Sequence, residues 1–174
     1  MKLNLGCGVN KIEGCLNCDI APEVKPDKIL NLEEELPFGT NSVDEIHIYH
    51  VLEHINNFIP LMHELHRICK KGAIINVWTP FYAGWGQFND PTHVRFFTPF
   101  TFSYFDGSVV DCGYEVKSEG KMFDTNVRLK FSTTNKSFLN IFNPLINISH
   151  RYYCRFFAWI FPATEIIYTL KVIK

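Results

Sequence analysis

The chain has 174 residues, of which 47% are hydrophobic and 20% charged, and its formal net charge is −1. This composition supports one sizeable core without a second domain or disulfides, and no apolar run approaches the ~20 residues that span a bilayer. The charge is not basic enough to favour a nucleic-acid partner. The six cysteines are dispersed and no secretory leader is recognisable, so we expect reduced thiols in a cytoplasmic protein.

The first part of the chain alternates between short apolar strands and helical segments. The predicted strands cover residues 2–5, 16–20, 28–32, 45–49 and 73–77. Apolar runs this short are typical of a buried parallel sheet. Residues 58–69 carry apolar side chains at three- and four-residue steps, followed by Lys70, Lys71 and Gly72, and predict an amphipathic helix with a basic end. Between Gly8 and Asp19 there is room for only a short helix.

The second part is richer in aromatic residues. Residues 114–119 and 126–132 alternate like strands, 138–161 contain helical stretches broken near Pro144, and 166–173 predict a final strand. We expect residues 138–161 to cover the sheet and build an acceptor pocket; a dimer face or a basic amphipathic surface that touches membrane are alternatives.

Charge is divided unevenly along the chain. Residues 1–60 contain 4 Lys and Arg against 10 Asp and Glu, whereas residues 61–174 contain 13 against 8. The positive later part indicates either an anionic substrate or an ordinary solvated surface.

The most informative motif lies at the start, where an apolar strand runs directly into Gly6-Cys7-Gly8 and Asp19 ends the next strand. A Gly-x-Gly turn lets a ligand approach the backbone, and a carboxylate at a strand end can accept two ribose hydroxyls. The dinucleotide fingerprint G-x-G-x-x-G is not completed, because position 11 is Lys. The motif therefore predicts a nucleoside site.

Five collinear motifs resemble those of class I S-adenosylmethionine-dependent methyltransferases. They are Leu3–Gly8, Glu13–Ile20, Leu36–Phe38, Asn41–Ile46 and Val51–Ile55, within a resemblance that covers roughly residues 2–105. It implies an α/β fold: a Rossmann-like, doubly wound, mainly parallel sheet of seven strands, with the last strand antiparallel and helices on both faces. It also implies a single domain, 1–174, in which 1–105 form the cofactor-binding core and 106–174 complete the sheet and provide an aromatic cover on the acceptor side.

The resemblance implies S-adenosylmethionine as the cofactor. Backbone at Leu5, Gly6, Cys7 and Gly8 would line its amino-acid and ribose part, and Asp19 would accept the ribose hydroxyls. A turn carboxylate is the alternative role for Asp19. Asn31 and Leu32 would lie near the adenine, where the family commonly has an acidic residue before the Leu; Asn31 can still accept a hydrogen bond through its carbonyl.

Methyl transfer to a hydroxyl benefits from a general base, and histidine is the natural candidate. We expect His93 as the base, because residues 89–99 resemble a loop over the active-site mouth of some methyltransferases. Asp90 could orient its ring and Arg95 could hold an anionic group of the acceptor. The alternative is that Asp90 caps a turn and His93 packs beside aromatic residues.

His50 is the second candidate base and a cofactor contact, because ligands bind outside the carboxyl ends of parallel strands. Tyr82, which follows the fifth predicted strand, is assigned to the acceptor site.

Two metal interpretations compete with this one. His50, Glu53 and His54 fit the H-x-x-E-H pattern of inverted zinc peptidases, although here the pattern begins at a strand end. Metal-dependent methyltransferases of quinone precursors or RNA ribose resemble the chain at Glu53-His54, with His93 as a conceivable further ligand, but carry Glu where this chain has His50. Cys15-x-x-Cys18 lacks a second pair. We predict no metal.

The expected function is methyl transfer from S-adenosylmethionine to the hydroxyl of a small molecule, a sugar or another metabolite. A non-catalytic nucleoside-binding regulatory domain and a metal-dependent O-methyltransferase are the alternatives. No nucleic-acid partner is expected, and the sequence indicates no oligomeric state.

Overall fold

A computed structural model describes residues 1–107, 121–132, 134 and 137–174. Seven strands form one sheet in the order β3-β2-β1-β4-β5-β7-β6, and β7 is antiparallel to both of its neighbours. This arrangement confirms the predicted fold class. The strands are β1 Lys2–Leu5, β2 Leu16–Asp19, β3 Lys28–Ile29, β4 Val43–Tyr49, β5 Cys69–Pro80, β6 Phe123–Lys130 and β7 Glu165–Val172. The predicted strand at 114–119 lies outside the described residues.

The helices of the fold are short apart from the first. They are α1 Phe58–Ile68, α2 Trp85–Asn89, α3 Ser103–Asp106, α4 Asn143–Ile146 and α5 His150–Phe156. Single 3-10 turns lie at Pro22–Val24 and Leu52–His54, and a longer 3-10 segment at Phe138–Phe142.

Helix α1 buries the apolar side chains that its spacing predicted, and the Phe58 ring meets those of Phe97, Phe102 and Phe105 edge to face. The helix ends at Ile68 and β5 begins at Cys69, so the basic residues and Gly72 belong to the strand and not to the helix end. β5 is accordingly longer than predicted.

The central strands bury one face more completely than the other. In β4, Ile46 and Ile48 are fully buried, whereas His47 and Tyr49 are partly exposed. Buried and partly exposed residues alternate in the same way in β5. On its less buried face, the ammonium group of Lys130 lies over the Trp78 ring. Helices α1 and α3 pack on the buried side, and α4 borders the groove beside Trp78 on the other side.

The connection from β1 to β2 contains no helix, where a short one was expected. A polar network holds it instead: the Asn4 side chain donates to Asn10 O (3.0 Å) and to Asn17 Oδ1 (2.9 Å), and Asn17 Oδ1 also accepts from Ile12 N at 2.8 Å. The two asparagines are buried, so their paired amides satisfy polar groups that would otherwise be costly. This compact loop carries the glycine motif.

Residues 138–161 form a helical segment between β6 and β7. Pro144 lies in the first turn of α4, a position that favours proline. The helical stretch is therefore broken near Pro144, between the 3-10 segment and α4, as predicted. The Asn147 side chain fastens α4 to β6, accepting from Leu129 N at 2.8 Å and donating to Leu129 O at 2.9 Å. None of the helices in the described ranges has both the length and the apolar character needed to cross a bilayer.

Candidate functional site

A cleft of about 460 Å³ opens at the carboxyl ends of the central parallel strands. This edge is where ligands bind in open α/β sheets. Six of the predicted cofactor residues line it: Gly6, Gly8, Asp19, Asn31, Leu32 and His50. Leu5 is fully buried within β1 and Cys7 is almost buried, and neither side chain lines the cleft. Cys18, Ile20, Leu30, Glu33, Val51, His54 and Ile55 complete the lining.

The two glycines serve the cleft in different ways. Gly6 has a φ of +68°, and a Cβ at this position would lie 2.2 Å from Val51 Cγ2, so the turn can pass Val51 only without a side chain. Gly8 has a φ of +50°, and a Cβ there would meet no atom within 4 Å. Packing does not require Gly8, but its position in the lining keeps open the space that a ligand needs.

Asp19 is fixed by backbone amides at the floor of the cleft. Its Oδ2 accepts from Gly8 N at 2.7 Å and its Oδ1 from Ala21 N at 2.9 Å. Each carboxylate oxygen keeps a further acceptor site, which a pair of vicinal hydroxyls could use. The bond to Gly8 also couples the glycine loop to the end of β2.

The Asn31 end of the cleft is tied into a turn. Asn31 Oδ1 accepts from Glu33 N at 3.0 Å, and its Nδ2 donates to Glu34 Oε1 at 2.8 Å. Glu33, which the sequence analysis missed, accepts from Asn56 N and Asn57 N at 2.7 and 2.9 Å. These amide contacts lower the pKa of Glu33. The Glu33 carboxylate thus joins the third strand end to the segment that follows β4.

His50 lies between two acidic side chains at the rim of the cleft. Its Nδ1 is 3.4 Å from Glu53 Oε1 and its Nε2 is 3.4 Å from Glu165 Oε2. His50 has a φ of +56°, and its amide donates to Trp78 O at 2.8 Å, which anchors this strained position on β5. Glu165 was not found from the sequence, because the antiparallel course of β7 carries its first residue to the carboxyl ends of β4 and β5.

Burial dominates the electrostatics of this cluster. The Glu53 side chain is fully buried and that of Glu165 is 5% exposed, whereas His50 is 46% exposed. Burial is the main cause that raises the pKa of Glu165 to about 7, with the nearby His50 opposing this shift and Glu53 adding to it. Contact with Glu53 raises the pKa of His50, against the effect of burial. A carboxyl and an imidazole whose pKa values are both raised, and which face the same cleft, can exchange protons with a ligand.

His93 lies beside His54 and does not itself line the cleft. Its Nδ1 is 2.9 Å from Gln87 O; a carbonyl only accepts, so Nδ1 carries a proton in this contact and Nε2 is the acceptor of the neutral tautomer. The His93 and His54 rings meet edge to face at 4.8 Å, and His54, not His93, lines the cleft. The backbone carbonyl of Glu53 holds the following loop by accepting from Val94 N at 2.9 Å.

The Asp90 side chain is linked to His54 through Thr92, whereas its contact with His93 is between backbone atoms, His93 N donating to Asp90 O at 3.3 Å. Its Oδ1 accepts from the amide and the hydroxyl of Thr92 at 2.8 and 2.6 Å, and that hydroxyl lies 2.9 Å from His54 Nδ1. These bonds to Thr92 lower the pKa of Asp90. Asp90 therefore forms the turn that the alternative interpretation described, while its proposed effect on His93 stays a prediction.

Arg95 and Tyr82 contact other segments of the chain and do not line the cleft. The Arg95 guanidinium lies 4.7 Å from the Phe58 ring centre and donates to Asn56 O at 3.2 Å. The Tyr82 hydroxyl donates to Cys154 O at 3.2 Å, and burial raises its pKa to about 12. Their acceptor roles stay predictions.

One group of side chains in the described ranges could hold a metal ion. Glu53, His54 and His93 each present a ligand atom, and these atoms lie within 4.8 Å of one another. Both imidazoles have Nδ1 hydrogen-bonded, which leaves Nε2 available. The predicted absence of a metal therefore needs a direct test.

Residues 3–77, which extend from β1 into β5 and include the glycine loop, match the family model described as a methyltransferase domain. The described fold is also that of a SAM-dependent methyltransferase from Archaeoglobus fulgidus, with a TM-score of 0.64. The resemblance to class I S-adenosylmethionine-dependent methyltransferases is confirmed. The same comparisons support S-adenosylmethionine as the methyltransferase cofactor.

The structural similarity extends over nearly the whole chain at low sequence identity. The Archaeoglobus fulgidus methyltransferase is 16% identical, with 98% of this chain and 85% of that chain covered. A Listeria monocytogenes protein described as a putative S-adenosylmethionine dependent methyltransferase has a TM-score of 0.59 and 10% identity, with 99% of this chain and 91% of that chain covered. The cyclase SpnF has a TM-score of 0.61 and 12% identity, covering 99% and 75%. A search of curated proteins found no match.

Proposed function

We propose that this methyltransferase transfers the methyl group of S-adenosylmethionine to a hydroxyl of a small-molecule acceptor, with His50 as the general base. The observation that supports this best is the position of His50 at the rim of the cleft, between the buried carboxyl groups of Glu53 and Glu165. We treat residues 1–174 as one domain, with 1–105 as the cofactor-binding core.

Two features of the cleft suit the cofactor: the Asp19 carboxylate and the open space beside Gly8. Asp19 accepts the ribose hydroxyls, and its contacts with Gly8 N and Ala21 N hold its carboxylate ready for them. The bare backbone at Gly8 leaves room for the ligand. When bound, S-adenosylmethionine supplies an activated methyl group with a good leaving group, so the protein mainly positions the acceptor and takes up its proton.

His50 can take up that proton because it is half exposed and faces the cleft. The imidazolium that forms is stabilised by Glu53 at Nδ1 and by Glu165 at Nε2, and the buried surroundings strengthen these attractions. The acceptor hydroxyl must approach one imidazole nitrogen, and the fully buried Glu53 closes off Nδ1 more completely than the 5%-exposed Glu165 closes off Nε2. We therefore assign proton uptake to Nε2.

His93 is the second candidate base. Its neutral tautomer with Nδ1 protonated would accept a proton at Nε2, but His93 does not line the cleft and meets it through the neighbouring His54 ring. The lining of the cleft favours His50 over His93, which reverses the order that the sequence suggested.

The acceptor is proposed to be small and anionic, without involvement of nucleic acid. The positive balance of residues 61–174 supports the anionic character. Arg95 and Tyr82 remain the proposed acceptor contacts. The Tyr82 hydroxyl donates to Cys154 O, so an acceptor would have to displace this contact to receive a hydrogen bond from it.

A radiolabelled methyl-transfer assay over a panel of hydroxylated and carboxylated metabolites tests the proposal. We expect product with at least one hydroxyl compound, loss of product in His50→Gln, and retention in His47→Gln, whose imidazole lies on β4 away from the cleft lining. Cofactor binding without transfer to any acceptor, and without an effect of His50→Gln on binding, would favour the non-catalytic nucleoside-binding alternative.

A further inference from the structure

The surface formed by the exposed side chains of residues 138–161, here called the 138–161 surface, is unusually apolar. More than half of the large apolar side chains that are exposed in the described ranges belong to it. Seven of them are 64–79% exposed: Phe138, Ile141, Ile148, Tyr152, Trp159, Ile160 and Phe161. Contiguous apolar exposure on this scale marks a contact surface for a protein, a ligand or a lipid bilayer.

The 138–161 surface also contains an open groove of about 690 Å³. Its walls come from the 3-10 segment, α4, α5 and the chain after α5, with Leu139, Phe142, Leu145, Tyr152, Phe157 and Phe161 among the lining residues. The walls are almost entirely apolar, with Ser149 as the one non-aromatic polar residue. Such a groove fits hydrocarbon better than it fits a polar metabolite.

The charged residues of the segment that forms this surface are all basic. From residue 137 to residue 164 the sequence contains Arg151 and Arg155 but no Asp or Glu. On α5, Arg151 and Arg155 lie one turn apart, beside Tyr152 and Phe156, which are also one turn apart and stack on each other. A basic ridge therefore runs along an exposed aromatic ridge, and the Arg155 guanidinium lies 5.5 Å from the Phe156 ring centre.

We propose that the 138–161 surface binds the face of a lipid bilayer that carries anionic headgroups. Aromatic and aliphatic side chains would enter the headgroup boundary while the two arginines contact phosphates, as amphipathic elements do without spanning the membrane. A second copy of the chain would bring the same two arginines and no acid to the contact, so charge complementarity favours anionic lipid. The proposal does not rest on the catalytic role of His50.

The Tyr82 contacts show what such binding would mean for the cleft. The Tyr82 hydroxyl donates to Cys154 O, and its ring meets Trp159 edge to face at 5.6 Å. Trp159 is itself 65% exposed on the 138–161 surface. The chain that follows β5 at the carboxyl edge of the sheet would therefore lie next to the bilayer, on the side where an acceptor enters.

Sedimentation of the full chain with phosphatidylcholine vesicles, with and without phosphatidylglycerol, tests the proposal. We expect stronger binding to the anionic vesicles, weakened by salt because headgroup attraction is screened. Ile141→Ser/Ile148→Ser should reduce this binding by about tenfold or more, since both side chains would leave the lipid. The matched control Val9→Ser/Ile29→Ser changes two exposed aliphatic side chains elsewhere and should leave binding unchanged.

A second pair of variants removes positive charge and leaves the aromatic and aliphatic side chains of the surface in place. Arg151→Gln/Arg155→Gln should remove most of the preference for anionic vesicles, whereas Lys25→Gln/Lys71→Gln should preserve it. Absence of binding to either vesicle type at low salt would overturn the proposal. Concentration-dependent self-association in sedimentation velocity, abolished by Ile141→Ser/Ile148→Ser without vesicle binding, would also overturn it and assign the surface to a second copy.

Discussion

His50 Nε2 and Glu165 Oε2 lie 3.4 Å apart. His50 directly follows β4 and Glu165 begins β7, and β5 separates these two strands in the sheet. The antiparallel direction of β7 makes this contact possible, because it delivers the first residue of the strand to the edge where the parallel strands end. The pair, together with the buried Glu53, combines a titratable imidazole with carboxyl groups at the rim of the cleft that is proposed to bind the cofactor. The following predictions test this arrangement and the cleft beside it.

Glu165→Gln should stabilise the protein at alkaline pH. The pKa of Glu165 rises from 4.5 to about 7 on folding, so the folded state holds this proton more tightly than the unfolded state. The burial cost of the ionised carboxylate is therefore absent below pH 4.5, grows as pH rises through 7, and is removed by the amide. At pH 8 we expect the variant to be about 1–3 kcal/mol more stable than the original chain, with little difference near pH 4.5.

Urea unfolding at the two pH values measures this difference. Glu45→Gln is the control, because Glu45 is partly exposed and pairs with Lys2 at 2.7 Å. A Glu165→Gln variant that is less stable at pH 8 would mean that the ionised carboxylate contributes more through His50 than its burial costs.

His50→Gln should reduce turnover by about 10²-fold, the contribution of a positioned base, and change cofactor affinity by only a few-fold. His93→Gln should reduce turnover less, because the His93 ring contacts His54 but does not itself line the cleft. Steady-state kinetics at saturating cofactor compare the two variants. The opposite order of effects would return the catalytic role to His93 and the loop that carries it.

Gly6→Ala should destabilise the fold and abolish cofactor binding. The new methyl group would lie 2.2 Å from Val51 Cγ2, at a backbone φ of +68° that disfavours any side chain. We expect a cost of about 1–3 kcal/mol in thermal unfolding. The double variant Gly6→Ala/Val51→Ala should recover the loss of stability that comes from the overlap with Val51, but not the loss that comes from the unfavourable φ. Gly39→Ala, where a Cβ meets no atom within 4 Å, is the control.

Chelation of divalent ions should leave methyl transfer unchanged, in keeping with the predicted absence of a metal. The structure provides one group that could contradict this prediction: the ligand atoms of Glu53, His54 and His93 lie within 4.8 Å of one another. The assay is run with metal-stripped enzyme and again after addition of Mg²⁺, Mn²⁺ or Zn²⁺. Activity that is lost on stripping, recovered with one ion and absent in His54→Gln would assign these residues as metal ligands.

Much of the fold could be predicted because the relevant signals are local. Short apolar runs located the strands, and the spacing of apolar residues located α1. The start of β5 was predicted four residues late, because Lys70, Lys71 and Gly72 read locally as a helix end while pairing with β4 extends the strand over them. The loop before β2 was also unexpected, since its buried Asn4–Asn17 pair forms only when the two strands align.

The parts of the candidate site that local motifs define could also be predicted. The glycine loop, Asp19 and the end of β4 are defined by short motifs, and all three line the cleft. Glu165 and Glu33 could not be found, because they reach the site through strand order and a loop contact that no local pattern encodes. Arg95 has a chemistry that suits an anion, but the sequence could not show that Phe58 and Asn56 would occupy its guanidinium.

Calorimetric titration of the metal-stripped protein with S-adenosylmethionine tests the central claim most directly, with Asp19→Ala, Glu23→Ala and His50→Gln as variants. Glu23 is an exposed acidic residue close to Asp19 in the chain but absent from the cleft lining, so it controls for the loss of one negative charge. The account predicts that the cofactor binds the original chain, Glu23→Ala and His50→Gln with similar affinity and that Asp19→Ala loses most of this affinity. Equal binding by Asp19→Ala, or no binding by any of the four proteins, would contradict the assignment of this cleft as the cofactor site.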